Sequence, residues 1–485
     1  MLCLLISLSC KVLSGGEQKP LVRAGGCIGS TCAARPKMDD PIEDARSIFF
    51  RTVRGVQAQR YGNTTFSVHA EPIAFCDEPD ALHCRLRMGG VKFRRGWHLT
   101  ASGPSSSLLF GGLSALIHRS SMEWLAVSDI GWLVQISGAD GAEVTQDWRV
   151  SIQMLRGEDG RFIGAGPLDE HMQTFSDVES LAFDARKQHF LVGFESRARV
   201  WEYSVHDGAV PGQRLRGGDL SACPSNLGAE ALLYAQRNAG IGVLDDRRLI
   251  FVICEGRTAD SRISISSAVD TVPVYLFDNE PNATSRAQLK QTFAYPIVDG
   301  LMPSAAALHV VSDRVLILER LHVRGAGVVA RLRRLRPTLT ALVQGRIPNG
   351  ELLRADLVAE FCPSDGTATD NFEGIAVDGS SFWLVSDDNF HRARQRTLLL
   401  EFSLPEDDEW TATSMMNGFT TSTPRCSTLD AQPPAAPLHT AAPAVRRWKL
   451  RVEIELLSSM CLLLVALLAK ALVRRSGHRT LAMLL

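Results

Sequence analysis

Carboxylates recur in this chain at similar places relative to short apolar runs. Glu179, Glu230 and Glu373 open such runs, and Asp129, Glu195, Glu255, Glu319, Asp387 and Asp388 close the runs that follow. Acids brought to one face repel each other and lose hydration, so they require protons or a hard cation; calcium, which takes oxygen ligands, meets that need. Any single acid has a plainer explanation, since Asp and Glu at strand ends cap turns or pair with arginines such as Arg197, Arg199, Arg320 or Arg396. The set argues for more, because the position repeats while the neighbouring turn residues vary. Other chemistries lack their residues. The chain has no Gly-x-Ser-x-Gly elbow, His-Glu-x-x-His pair, P-loop or dinucleotide fingerprint, and His98, His118, His171 and His391 have no ligand spacing.

The elements that must carry these acids are strand pairs. The densest stretch runs from Asp370-Asn371-Phe372-Glu373-Gly374 through an apolar segment and Asp378-Gly379-Ser380-Ser381 to Phe382-Trp383-Leu384-Val385-Ser386-Asp387-Asp388-Asn389-Phe390. Apolar runs on either side of a turn signal, without a 3.6-residue period, predict a hairpin. Antiparallel return then brings Glu373 and Asp387, Asp388 and Asn389 to one sheet edge. Four earlier pairs follow the same plan: 114–117 with 124–129, 177–183 with 190–195, 228–232 with 249–255, and 304–308 with 315–319. Recurrence at this spacing predicts an all-β propeller over residues 46–405, with six blades rather than five. The segment before Gly111, with an expected strand pair around Arg95-Gly96, suits a first blade or the closure of the last one.

With 485 residues and a formal net charge of −1, the chain can bury a large core and shows no charge excess suited to nucleic acid. Residues 1–45 read either as a signal-like start lacking basic residues or as disordered chain. Residues 406–450 read as a Pro/Ala/Ser/Thr-rich linker, and 451–485 as an apolar helix. That helix could meet a membrane through 454–473, as an anchor or lying at the interface. The 11 cysteines include no Cys-x-x-Cys pair. Cys27 with Cys32, and Cys76 with Cys84, are spaced for local disulfides; Cys223, Cys254 and Cys362 read as single thiols.

Phe110-Gly111-Gly112-Leu113-Ser114, the Asp177-Val178-Glu179 and Gly228-Ala229-Glu230 openings, Leu318-Glu319-Arg320, the Asp370–Phe390 stretch and Gln395-Arg396-Thr397-Leu398-Leu399-Leu400 resemble the bacterial "esterase-like activity of phytase" family over residues 66–404. The resemblance implies a secreted or periplasmic propeller that hydrolyses a small-molecule ester or phosphoester. The family's fourth inner strand usually opens with an acid, where this chain has Met302-Pro303-Ser304. Two functions follow. In a calcium-dependent hydrolase, Glu179, Glu230 and Glu373 hold the ion, Asp387 or Asp388 orients water, Arg396 binds the anionic leaving part, and Asn389 and Arg320 contact substrate. In a non-catalytic binding propeller, the same acids hold a structural ion and the loops bind a ligand.

Overall fold

The computed structural model describes most of residues 63–405, leaving out 77–89, 140–144, 164–176, 205–212, 236–248, 257–269, 279–286 and shorter stretches between them. The expected segments 1–45, 406–450 and 451–485 lie outside the described residues, as do Cys27, Cys32 and Cys84. Among the described residues, no helix is long and apolar enough to cross a membrane.

Apolar runs broken by turns make the described residues almost wholly antiparallel strands. Three four-stranded sheets hold β7 (Val178–Asp184) to β10 (Gln213–Arg214), β11 (Ala229–Ala235) to β14 (Gln288–Pro296), and β15 (Met302–His309) to β18 (Ala355–Phe361). Their middle strands are β8 (His189–Phe194), β9 (Arg199–Ser204), β12 (Leu249–Cys254), β13 (Thr271–Asp278), β16 (Arg314–Val323) and β17 (Gly327–Leu335). A short helix, α1 (Leu339–Val343), follows β17 and is capped by Thr338, whose hydroxyl accepts from the Ala341 N–H.

The remaining strands form one nine-stranded sheet. Its two ends are meanders: β3 (Leu113–Ser120), β4 (Glu123–Ser128), β5 (Trp132–Ser137) and β6 (Gln146–Met154) at one end, and β19 (Phe372–Asp378), β20 (Ser381–Ser386) and β21 (Leu398–Ser403) at the other. Between them lie β2 (Lys92–Ala101), paired with β21, and β1 (Thr64–Pro72), paired with both β2 and β6. The first strands of the five sets, β3, β7, β11, β15 and β19, pack neighbour on neighbour, and β19 packs on β3. Five meanders with their first strands in such a closed succession make a β-propeller.

Six sets are not found among the described residues. The strand pair expected around Arg95-Gly96 is one continuous strand, β2, which joins β19–β21 as their fourth member. Gly96 permits this, because a Cβ there would lie 2.5 Å from a Leu400 methyl. The N-terminal segment therefore closes the last set, which removes the exposed sheet edge that β21 would otherwise present. The expected hairpin at 370–390 is present as β19 and β20, joined by a two-residue turn in which Gly379 takes φ 55°.

The core lies between neighbouring sets. Where the first and last meet, Trp97, Trp124, Trp148 and Trp383 are fully buried against one another, with Trp124 and Trp148 stacked at 5.5 Å. Burial of this much aromatic surface anchors the first strands and hence the acids at their ends.

Candidate functional site

Each first strand carries a bulge at the same place. The register of β3 on β4 skips Ser114, that of β7 on β8 skips Glu179, β11 on β12 skips Glu230, β15 on β16 skips Ser304, and β19 on β20 skips Glu373. A bulge re-aims one side chain out of the strand's alternation. Three of the five re-aimed residues are glutamates.

The second strands supply a matching set. Just beyond the pairs Leu113↔Ser128, Val178↔Phe194, Ala229↔Cys254, Pro303↔Glu319 and Phe372↔Ser386 stand Asp129, Glu195, Glu255, Arg320 and Asp387. Four of them donate their backbone N–H to the chain just before the first strand: Asp129 to Gly112 O (2.9 Å), Glu195 to Asp177 O (2.9 Å), Glu255 to Gly228 O (3.3 Å) and Asp387 to Asn371 O (2.8 Å). The same edge of five meanders thus presents Glu179, Glu230, Glu373, Asp129, Glu195, Glu255 and Asp387 together with the cationic Arg320.

Two groups of carboxylates converge within this set. Asp177, Glu179 and Glu195 offer oxygens within 4.8 Å of one another, and Glu195, Glu230 and Glu255 do the same. Glu195 belongs to both. Burial pushes its carboxyl up to about 9, helped by Asp177 and Glu255. Glu179 and Glu230 are also held well above the usual carboxylate range, first by burial and then by neighbouring acids. Ligands about 2.3–2.6 Å from a common calcium lie at most about 5 Å apart, so both groups fit that ion in donor type and spacing.

Glu373 stands apart from these groups. Its carboxylate lies 3.0 Å from Arg320 Nη2 and accepts a 2.7 Å bond from Asn371 Nδ2. Arg320 in turn donates from Nη1 to Asn371 Oδ1 at 2.8 Å and lies 3.9 Å from Glu255. Burial raises the Glu373 carboxyl to about 7 against the opposing pull of Arg320. Asp387 is buried and held well above its ordinary value, by burial first and then by Glu373, Asp129 and Asp388.

Several expected site residues have other work. Glu319, grouped by sequence with the run-ending acids, is fully buried away from this edge, accepting from Tyr295 Oη at 2.6 Å with Arg333 at 3.7 Å. Because β16 continues to Val323, Glu319 pairs with Pro303 inside the ladder, and the position equivalent to Glu195 falls to Arg320. Arg396 is held by Asp370, to which its backbone N–H donates at 3.0 Å and its Nε at 3.3 Å. Asp388 Oδ1 accepts from the N–H groups of Gly112 (3.0 Å) and Phe390 (2.9 Å), and Asn389 turns its backbone to φ 45° while donating to Asp387 Oδ1. Asp177 and Asn371 were not singled out for the site, although each lies two residues before a bulged glutamate.

The cysteine reading also changes. Cys223 and Cys254 form a disulfide, and Cys362 and Cys76 are disulfide-bonded too, so Cys223, Cys254 and Cys362 are not single thiols. Cys223 and Cys254 are 31 residues apart in sequence, and only the pairing of β11 with β12 brings the Cys254 end near the chain before β11.

Fold and acid edge define a β-propeller with a carboxylate-lined face. The chain belongs to the family described as "Phytase-like: Esterase-like activity of phytase", which matches residues 108–390. No curated protein matches the chain. Among solved structures, it is similar to a chain of a nidogen/laminin complex at 8% identity, covering 67% of this chain and 86% of that one with a TM-score of 0.30. It is also similar to the WD40 propeller domain of Doa1, at 12% identity, covering 62% of this chain and 95% of that one with a TM-score of 0.28.

Proposed function

We propose that the carboxylate-lined face binds a divalent cation, calcium by its donor set, and hydrolyses a small-molecule ester or phosphoester there. The observation that carries this reading is the convergence of two carboxylate groups beside Arg320. A bound divalent ion would polarise the ester or phosphoryl oxygen and favour ionisation of a water. Glu179 and Glu230 keep their role as ion ligands, joined by Asp177, Glu195 and Glu255 in place of Glu373. Arg320, Nη2 of which faces Glu373 and Glu255, attracts the anionic part of the substrate. Glu373, titrating near neutrality, exchanges a proton with the attacking water or the leaving group. Asp387 suits orientation of that water better than Asp388, whose Oδ1 is committed to two backbone N–H groups. Asn389 lies beside them at the same edge as a substrate contact.

The Cys223–Cys254 disulfide supports a periplasmic or secreted location, because such bonds persist in oxidising compartments. Association with a membrane through 454–473 remains part of the proposal.

A second reading has its own support. The Arg396 guanidinium donates to the Asp370 carboxylate and the Thr369 carbonyl, and Asp388 Oδ1 accepts from two backbone N–H groups, contacts that suit a non-catalytic binding propeller with a structural ion. Assay of the purified chain against p-nitrophenyl esters, p-nitrophenyl phosphate and phytate, with calcium and with a chelator, separates the two. Calcium-dependent turnover that falls at least about tenfold in Glu373→Gln supports the enzyme. Calcium-dependent melting without turnover supports the binding module.

A further inference from the structure

We propose that this face holds two divalent cations at once, with the Glu195 carboxylate shared between them. The inference rests on the reading of the face as a cation site and goes beyond it in number of ions and ligand assignment. One ion falls to Asp177, Glu179 and Glu195, all of the β7–β8 hairpin; the other falls to Glu195, Glu230 and Glu255 and so links that hairpin to β11–β12.

Charge balance argues for two ions rather than one. Asp177, Glu179, Glu195, Glu230 and Glu255 carry five negative charges when ionised. One divalent ion would leave three uncompensated on a mostly buried surface, whereas two would leave one. Arg320 offers little relief, since its near contacts are Glu373 at 3.0 Å and Asn371 at 2.8 Å, with Glu255 farther off at 3.9 Å.

Glu230 points independently to a ligand. It is 3% exposed, its carboxylate has no hydrogen bond or ion pair among the described residues, and yet that carboxylate lies within 4.8 Å of those of Glu195 and Glu255. A buried carboxylate without a partner is strongly disfavoured unless it is protonated or bound to a cation. The β11 bulge aims it to where the cation would sit.

Equilibrium dialysis of the full chain against calcium should give two ions per chain. Glu230→Gln and Asp177→Asn should each leave one ion, and Glu195→Gln should weaken both by at least tenfold. One ion per chain in the wild type, or loss of a single ion in Glu195→Gln, overturns the proposal. Should Glu195→Gln not fold, manganese(II) in the wild-type protein decides: an electron paramagnetic resonance spectrum of a spin-coupled pair is expected, and a spectrum of isolated ions overturns it. Two bound ions without hydrolysis would uphold this inference while removing the enzymatic reading. Hydrolysis with a single ion would do the reverse.

Discussion

Arg320 Nη2 lies 3.0 Å from Glu373 Oε1, joining the fourth strand set to the fifth through an ion pair whose carboxylate member is 5% exposed. The same guanidinium donates to Asn371, which donates to Glu373, so three side chains form a closed hydrogen-bonded triangle. Each depends on the other two.

Removing the arginine should therefore cost more than removing the pair. Arg320→Met leaves Glu373 buried and uncompensated, and breaking a buried ion pair costs about 3–5 kcal/mol; the partial exposure of Arg320 places the expected loss near the lower end. Arg320→Met combined with Glu373→Gln should recover about 1–3 kcal/mol of it. Urea unfolding of the two single variants and the double variant measures this coupling, and simple additivity would contradict the triangle.

The raised carboxyls set a pH dependence. Glu195 is pushed to about 9 and Glu373 to about 7, from an ordinary 4.5. Between 4.5 and these values the folded chain binds more protons than the unfolded chain, so stability declines as pH rises through that window. The melting temperature of calcium-free protein should fall between about pH 5 and about pH 9, and millimolar calcium should flatten the fall by replacing protons. A calcium-free melting temperature that climbs over this range would contradict the buried acids.

The hairpins were legible because two of their signals are local: apolar runs of strand length and a turn such as Asp378-Gly379-Ser380-Ser381. Glu179, Glu230 and Glu373 were legible for the same reason, since each sits at a fixed place relative to its run. Register was not. Glu319 looks like Glu195 and Glu255 in sequence, but β16 runs four residues farther, to Val323, and the turn of the chain toward the common edge falls one residue later. That shift exchanges an acid for the cationic Arg320. The first strand pair was misread similarly: Lys92–Ala101 reads as two short strands around Arg95-Gly96, and only its pairing with β21, some 300 residues away, shows one strand. Non-local pairing also joins Cys223 to Cys254.

The Cys223–Cys254 disulfide closes a 31-residue separation and ends one residue before Glu255. A cross-link over a loop of this length is worth about 2–4 kcal/mol. Cys223→Ser should lower stability by that amount in urea unfolding. Dithiothreitol should produce a larger loss in the wild type than in the variant, where Cys76 and Cys362 remain the disulfide-bonded cysteines among the described residues. Equal losses in the two proteins would assign the effect to other disulfides.

Asp388 adds a side-chain tie between the last set and the first. Its Oδ1 accepts from Phe390 N–H in its own loop and from Gly112 N–H ahead of β3, tying chain that follows β20 to chain that precedes β3. The approach is close: a Cβ on Gly111, at φ 130°, would lie 2.5 Å from Asp388 Oδ1, and one on Gly112, at φ 63°, would overlap Asp129 and the Phe390 ring. Asp388→Ala strands two N–H groups and should cost about 2–3 kcal/mol, whereas Asp388→Asn keeps an acceptor oxygen and should cost less than about 1 kcal/mol. Gly112→Ala should match the alanine variant, because it strains the backbone and forces the loops apart. Calcium affinity decides between this latch and a role in chemistry or ion binding. It should stay within about twofold of wild type in Asp388→Asn, and a tenfold loss there would move Asp388 from the latch to the ion site.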